Sequence, residues 1–324
     1  MLISFVIPCY RSENTLPKVV ETIEETVAGK DGFEAEIVLV NDCSPDNTWQ
    51  TILDLTKKYD NIKGIDLAKN SGQQNAILAG LRHTGGDLVA VSDDDGQTPI
   101  ETVFSFYDKM TEGNYDVVCA RYHSRGHRSL FRQMGSKAND ALIRICLEKP
   151  EEINTSVYFL AKRFVIEEMI RYNNAYPHME GLLLRTTFNI GNVDVDQKDR
   201  SSGSSGYNLR KLLSTWVNGL TTFSIKPLRL AVITGMLMAF IGLIVIIILV
   251  VTKLSRGDIV LGWTSMIATQ ILIGGMIMMM LGVIGEYIGR IYLSLNQNPQ
   301  YVVREVVGKG SASDSSERGK NVER

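Results

Sequence analysis

Two long stretches in the last third of this chain carry no charge: Leu230 to Val251 and Ile259 to Ile284. As helices, each would reach more than about 30 Å, the thickness of a bilayer's hydrocarbon core. Burial inside a soluble domain is the alternative, but helices this long and apolar all round are uncommon there. The sequence therefore predicts two membrane spans within residues 228–290, the second softened by Thr264, Ser265, Thr269 and Gln270. A pair of spans returns the chain to the side it left. The opening, Met1-Leu2-Ile3-Ser4-Phe5-Val6-Ile7, lacks a basic region and enters a strand-like run at once, unlike a signal peptide. The N-terminal part is expected in the cytosol, and the C-terminus with it. Lys226 and Arg229 before the first span, and Arg290 and Arg304 after the second, face Lys253, Arg256 and Asp258 between them, a modest positive-inside bias.

Ahead of the spans, residues 1–206 alternate strand-like and helical runs. Strands are expected at Ile3–Ile7, Glu36–Asn41, Ile62–Asp66, Leu88–Ser92 and Val117–Ala120, and amphipathic helices at Leu16–Val27, Thr48–Tyr59, Gln73–Arg82 and Ile100–Thr111. Such alternation predicts an α/β, mostly parallel sheet, with ligands bound at the carboxyl ends of the strands. Four loops then converge on one edge: Pro8–Glu13, Asn41–Pro45, Asp66–Gln73 and the stretch after Val91. The cysteines Cys9, Cys43, Cys119 and Cys146 lack metal-type spacing and fit reduced thiols. A net charge of −2 offers nothing to nucleic acid.

The stretch after Val91 is Ser92-Asp93-Asp94-Asp95-Gly96-Gln97. Clustered carboxylates at the exit of a buried strand repel one another, and a cation relieves that repulsion. Mg²⁺ and Mn²⁺ favour carboxylate and amide oxygens and are commonly shared with substrate phosphates, so Asp93, Asp95 and Gln97 are candidate ligands. A plain acidic turn before the helix at Thr98-Pro99 is the bland alternative. Convergence of the four loops favours the metal.

Further along, Tyr122–Arg132 reads as a basic loop entering a helix, on which Arg128, Arg132, Ser136 and Asn139 share a face and suit an anion. Ser201–Gly206 has linker composition. Residues 207–227 carry Leu209, Leu212, Leu213, Trp216, Val217 and Leu220 on one side and Arg210 and Lys211 on the other, as an interfacial helix would. Residues 291–324 form a cytosolic tail, expected to be disordered after Val307.

Together, Val6-Ile7-Pro8 with Tyr10 and Glu13, Val40-Asn41-Asp42-Cys43-Ser44-Pro45-Asp46, Asn70-Ser71-Gly72-Gln73, Asp93–Glu101 and Arg200 with Gly203 and Ser205 resemble the family 2 glycosyltransferases of GT-A fold. With the apolar pair and Gly282–Tyr292, the chain is similar to bacterial polyisoprenyl-phosphate glycosyltransferases, relatives of dolichol-phosphate mannose synthase, over nearly all of residues 1–307. The resemblance implies a Rossmann-like GT-A cytosolic domain, interfacial helices and a two-helix transmembrane hairpin in the bacterial inner membrane. It implies an inverting, metal-dependent transfer of a hexose from a nucleotide sugar such as UDP-glucose to undecaprenyl or polyprenyl phosphate, with homotetrameric assembly.

By that resemblance, Pro8, Tyr10, Glu13, Asp42, Asn70, Gln73, Asp93 and Asp94 hold the nucleotide. Asp93, Asp95 and Gln97 surround Mg²⁺ or Mn²⁺, and Arg121, Arg128, Arg132, Ser136 and Arg200 receive the acceptor phosphate. Asp93, Asp95, Arg128 and Arg200 are the expected catalytic groups. The chemistry agrees, because a leaving diphosphate needs neutralising and a phosphate acceptor suits guanidinium groups. The chain departs from its relatives at Asn154, where many carry Asp, and at Gly206, where a lysine is common. Asn154 cannot act as a base, yet a lipid phosphate, largely dianionic at pH 7, attacks without losing a proton. A processive polysaccharide synthase is one rival; Trp49, Trp216 and Trp263 are the only tryptophans and none follows an arginine, so its usual Gln-x-x-Arg-Trp motif is missing. A catalytically silent membrane scaffold with this fold is the other.

Overall fold

In a computed structural model, the structure describes residues 1–122, 150, 153–173, 177–196, 262–295 and 299–308, with separated positions between 228 and 251. Strand β1 (Leu2–Cys9) is buried from Ile3 onward, the signature of a central strand covered on both faces. It pairs in parallel with β2 (Glu34–Asn41) and β4 (Leu88–Val91), and β2 pairs in parallel with β3 (Ile62–Leu67). Three more strands, β5 (Val117–Tyr122), β6 (Phe159–Lys162) and β7 (Ile190–Val195), extend one side, and β8 (Val303–Val307) closes the other. The eight-stranded order is β7-β5-β6-β4-β1-β2-β3-β8. Because β6 runs antiparallel to β4 and β5, and β8 antiparallel to β3, the sheet is mixed around a parallel centre.

Alternate side chains of β1 serve opposite layers. Ile3, Phe5, Ile7 and Cys9 pack with α1 (Leu16–Ala28), α2 (Thr48–Lys58) and α4 (Val103–Glu112), whereas Val6 faces α3 (Gln73–Leu81), α5 (Arg163–Ile170) and α6 (Met179–Thr186). Helix α1 buries Leu16, Val19, Val20, Ile23 and Val27, an apolar stripe at helical spacing, and stops at Gly29. The result is a three-layer α/β domain with two cores, one on each face of the sheet.

The expected strands and helices of residues 1–120 are present within a few residues of their predicted ends. The sheet gains β6, β7 and β8 beyond the prediction, and β8 comes from the segment read as a tail. Helix α7 (Trp263–Leu295) runs for 33 residues. Its described side chains include exposed Met266, Ile273, Ile277, Met278 and Met279. Counting the described residues alone, no helix is long and apolar enough to cross a membrane, so the two expected spans rest on the full sequence. Arg128, Arg132, Ser136, Cys146, Arg200, Gly206 and the interfacial segment 207–227 lie outside the described residues.

Candidate active site

The parallel strands β1, β2, β3 and β4 send their carboxyl ends to one edge, and the loops there bond to one another. Asp42 N–H donates to the Cys9 carbonyl at 3.0 Å, and Arg11 N–H donates to Ser44 Oγ at 3.2 Å. Ser44 N–H in turn donates to Asn41 Oδ1 at 3.2 Å, turning the chain directly after β2. Arg11 (φ 58°) and Cys43 (φ 52°) occupy the left-handed region without being glycine. Each costs about 1–2 kcal/mol, and such strain concentrates at binding sites.

Asp42, 3% exposed, uses both carboxylate oxygens on the loop after β3. Oδ1 accepts from Ser71 N–H at 2.6 Å and Oδ2 from Gly72 N–H at 2.9 Å. Burial pushes its carboxyl above the ordinary range, and those two amides oppose the shift. Asn70 Nδ2 donates to the Asp42 carbonyl at 3.3 Å, so this loop is tied to residue 42 by main chain and side chain. Gly72 lies at φ 87°, which leads into α3 and brings Gln73 round to the next loop.

Gln73 Nε2 donates to Asp93 Oδ1 at 2.7 Å. Burial, then the charges of Asp95 and Asp94, push the Asp93 carboxyl up to about 6, and Gln73 only partly offsets this. Burial also raises Asp94, whose Oδ2 accepts from Tyr10 N–H at 2.9 Å. Asp94 therefore fastens the loop after β1, and Thr15 Oγ1 donates to its carbonyl at 2.7 Å. Asp95 Oδ1 accepts from Gln97 N–H at 2.9 Å across the left-handed Gly96 (φ 70°). Gln97 is buried, and Tyr10 is 45% exposed at the rim with the Arg11 guanidinium 5.5 Å from its ring centre.

Asp42, Asn70, Gln73, Asp93, Asp94, Asp95 and Gln97 thus meet at one edge, together with Pro8 and Tyr10 at the end of β1. Glu13 has a different engagement: its Oε2 accepts from Asn47 N–H at 2.9 Å, at the start of α2. Arg121 makes a two-pronged ion pair with Asp194, which stands opposite it in the parallel β5–β7 register. Its guanidinium is thus already partnered. Asn154 is held through its backbone, donating to Asn192 Oδ1 at 3.0 Å and accepting from Asn192 Nδ2 at 2.7 Å. Tyr122, read from the sequence as the start of a basic loop and not as a site residue, is the last residue of β5. Burial and the charges of Asp93 and Asp95 push its hydroxyl up to about 12, so it stays a proton donor beside the cluster. No local motif marks it, because only the β5 pairing brings it there.

Among the described residues, no group of three or more His, Cys, Asp or Glu is arranged to hold a metal by itself. The oxygen donors of Asp93, Asp95 and Gln97 fit a hard divalent cation that takes its remaining ligands from a substrate, and the Asp93 carboxyl is raised by burial and by the charges of Asp95 and Asp94, a repulsion that a cation would relieve.

The glycosyl transferase family 2 model matches residues 4–170, and a GtrB C-terminal hairpin model matches residues 226–291. The chain belongs to the family 2 glycosyltransferases. It is 32% identical to an uncharacterized glycosyltransferase, YkcC, of Bacillus subtilis, over 94% of each chain. It is 31% identical to the undecaprenyl-phosphate 4-deoxy-4-formamido-L-arabinose transferase of Photorhabdus laumondii, over 97% of each. A bactoprenol glucosyl transferase of Shigella phage SfX is 31% identical over 94% of this chain and 99% of that one. The glucosyl-3-phosphoglycerate synthase of Mycobacterium tuberculosis, solved with Mn²⁺, UDP and glucosyl-3-phosphoglycerate, shares the fold, with a TM-score of 0.50 at 17% identity over 68% of this chain and 78% of that one. The chain is a glycosyltransferase with polyprenyl-phosphate sugar transferases among its relatives.

Proposed function

We propose that this glycosyltransferase moves a hexose from a UDP-sugar to polyprenyl phosphate at the cytosolic face of a bacterial membrane, with inversion at the anomeric carbon. The observation that carries the reading is the meeting of Asp42, Gln73, Asp93, Asp95 and Gln97 at one sheet edge, with Asp93 short of a neutralising charge. Asp42 and the loop it holds would seat the nucleoside, with Tyr10 offering an aromatic face. Asp93, Asp95 and Gln97 would hold Mg²⁺ or Mn²⁺, which when bound neutralises the diphosphate as it leaves. In a single displacement, an oxygen of the acceptor phosphate forms the new bond to the anomeric carbon while the bond to UDP breaks. The dianionic phosphate brings its own electron pair, so no side chain need take a proton and Asn154 is tolerated. The names of the Photorhabdus and phage relatives support a polyprenyl phosphate acceptor. Arg128, Arg132, Ser136 and Arg200 are the proposed phosphate-binding groups, with Arg121 first having to leave Asp194.

The membrane hairpin belongs to the same proposal. Trp263 to Gly285 holds no charged residue, about 34 Å of helix. Strand β8 supports a pair of spans: it pairs with β3 of the catalytic sheet, which requires that any membrane crossings between residues 196 and 299 be even in number. Two spans meet that requirement and put both termini on one side. Gly285 and Gly289 leave open space on α7 for a neighbouring helix and support a homo-oligomer; bulky leucines there should change its size in mild detergent.

The deciding experiment incubates membranes holding the protein with radiolabelled nucleotide sugars, polyprenyl phosphate and Mg²⁺ or Mn²⁺. Label from a UDP-hexose is expected in the lipid fraction and lost with chelator. Failure of every UDP-hexose, with transfer from another nucleotide sugar, would overturn the donor assignment.

A further inference from the structure

Strand β8 does more than close the sheet. Arg304 Nη1 donates to Asp66 Oδ2 at 2.8 Å, and its Nη2 donates to the Ala68 carbonyl at 3.1 Å. Asp66 is 2% exposed at the end of β3, and its other oxygen accepts from Asn41 Nδ2 at 2.7 Å. Asn41 is the residue before Asp42, and its own Oδ1 accepts from Ser44 N–H. The chain of contacts therefore runs from Arg304 through a buried carboxylate to the loop after β2. On its other branch it reaches residue 68, four positions before Gly72, at the start of the loop whose amides hold Asp42.

Neighbouring contacts dock the same segment. Ala68 N–H donates to the Val302 carbonyl at 2.8 Å. Arg82 Nη1 donates to the Tyr301 hydroxyl at 2.8 Å and Nη2 to Gln300 Oε1 at 3.4 Å, with the guanidinium 5.4 Å from the Tyr301 ring centre. Arg82 also bonds the carbonyls of Ile170 and Tyr172, so the segment after α7 is fixed to α3 and α5 as well as to β3.

We infer that Arg304 is a positioning residue for nucleotide-sugar binding: through Asp66 and Ala68 it fixes the two loops that meet at Asp42, so the donor pocket is complete only when the C-terminal strand is docked. This rests on the donor site proposed above. Asp66 is buried where an unpaired carboxylate is costly, and Arg304 answers it with a charge-assisted bond while its second nitrogen reaches main chain. A lysine keeps the charge but cannot reach both acceptors in the same planar geometry.

The test uses the full chain in mild detergent with Arg304→Ala, Arg304→Lys and the shape-preserving Asp66→Asn. Hydrogen exchange at the Ser71 and Gly72 amides should quicken about tenfold in Arg304→Ala, and UDP affinity measured by calorimetry in Mn²⁺ should fall about tenfold. Arg304→Lys should lie between, and Arg304→Ala with Asp66→Asn should be no worse than either alone. In turnover, the KM for the nucleotide sugar should rise with kcat and the KM for polyprenyl phosphate unchanged, whereas a merely structural role would lower the folded fraction and hence apparent kcat. Wild-type exchange rates at Ser71 and Gly72 in Arg304→Ala would overturn the inference, and so would wild-type UDP affinity. Absence of UDP binding by the unaltered protein would sink the donor reading alone, and the exchange rates would still decide whether Arg304 positions the loop.

Discussion

Two carboxylates near opposite ends of the same sheet, buried Glu36 and half-buried Asp93, end with their carboxyls shifted in opposite directions. At the amino end of β2, Glu36 accepts from Lys63 Nζ at 2.7 Å, from Gly85 N–H at 2.7 Å and from the Ser4 hydroxyl. Burial alone would raise its carboxyl, but those donors together hold it below the ordinary range. At the carboxyl end of β4, Asp93 has one amide donor and two acidic neighbours, and it rises to about 6. Lys63 supplies the cation for the first carboxylate, whereas among the described residues the charged neighbours of the second that shift it are acidic. The first is held charged by its own neighbours, whereas the second carries a repulsion that a bound cation would relieve.

The harshest test of that contrast is Asp95→Ala. Loss of one cluster carboxylate should cut sugar transfer at least about 100-fold while leaving the melting temperature nearly intact. Full activity of the purified variant in limiting Mn²⁺ would break the comparison at its functional end.

Glu36→Gln should do the reverse, lowering unfolding free energy by about 2 kcal/mol, because Lys63 loses its ionic partner and keeps only the His83 carbonyl, with UDP affinity unaltered. Denaturant titration and calorimetry read the two effects separately. Weakened UDP binding without lost stability would erase the distinction between the two ends.

Acid should separate the regions next. Asp93 is raised in the fold, so its contribution to stability is present below the ordinary carboxyl range and is lost as pH rises through about 6. Glu36 is lowered, so its contribution is present above the ordinary range and lost only in stronger acid. Between pH 7 and pH 5, Mn²⁺ affinity should therefore fall about tenfold as protons compete for Asp93, while the Glu36 network holds. A flat affinity over that window, measured by Mn²⁺ titration, would remove Asp93 from the cation site.

The smallest expected effect concerns the turn between Asp95 and Gln97. Gly96→Ala meets no neighbouring atom but is strained at φ 70°, at a cost of about 1 kcal/mol. Mn²⁺-dependent UDP affinity should drop about fivefold, and an unchanged value would mean that the turn relaxes freely.

The parallel centre of the fold was legible because short, mostly apolar strand-like runs alternate with helical ones along residues 2–112. Strand β6 runs straight into the helix that starts at Arg163, with no turn to mark its end, and β8 pairs with a strand more than 200 positions earlier, which no local pattern reveals. The site divides the same way. Asp93, Asp95, Gln97 and Gln73 announced themselves by type and by position after buried strands. Arg121 and Glu13 did not reveal their true neighbours, because Asp194 and Asn47 reach them through strand register and helix packing. Asp66 looked like the end of a strand, and its bond to Arg304 depends on the most distant pairing in the sheet.

That pairing also has a consequence for biosynthesis. The outer edge of β3 is complete once Leu67 has left the ribosome, yet its partner begins at Val303. At about 5–20 residues per second, the interval is on the order of ten seconds or more, and an open strand edge is a template for wrong pairing throughout it. The β3 edge gains its partner only after residues 68–302 have been made. A nascent chain stalled before Val303 would hold a nearly finished catalytic layer with its β3 margin still unpaired, and the arrival of β8 exchanges that margin for a five-residue edge strand bearing Arg304 and Glu305, a shorter and more charged template for wrong pairing.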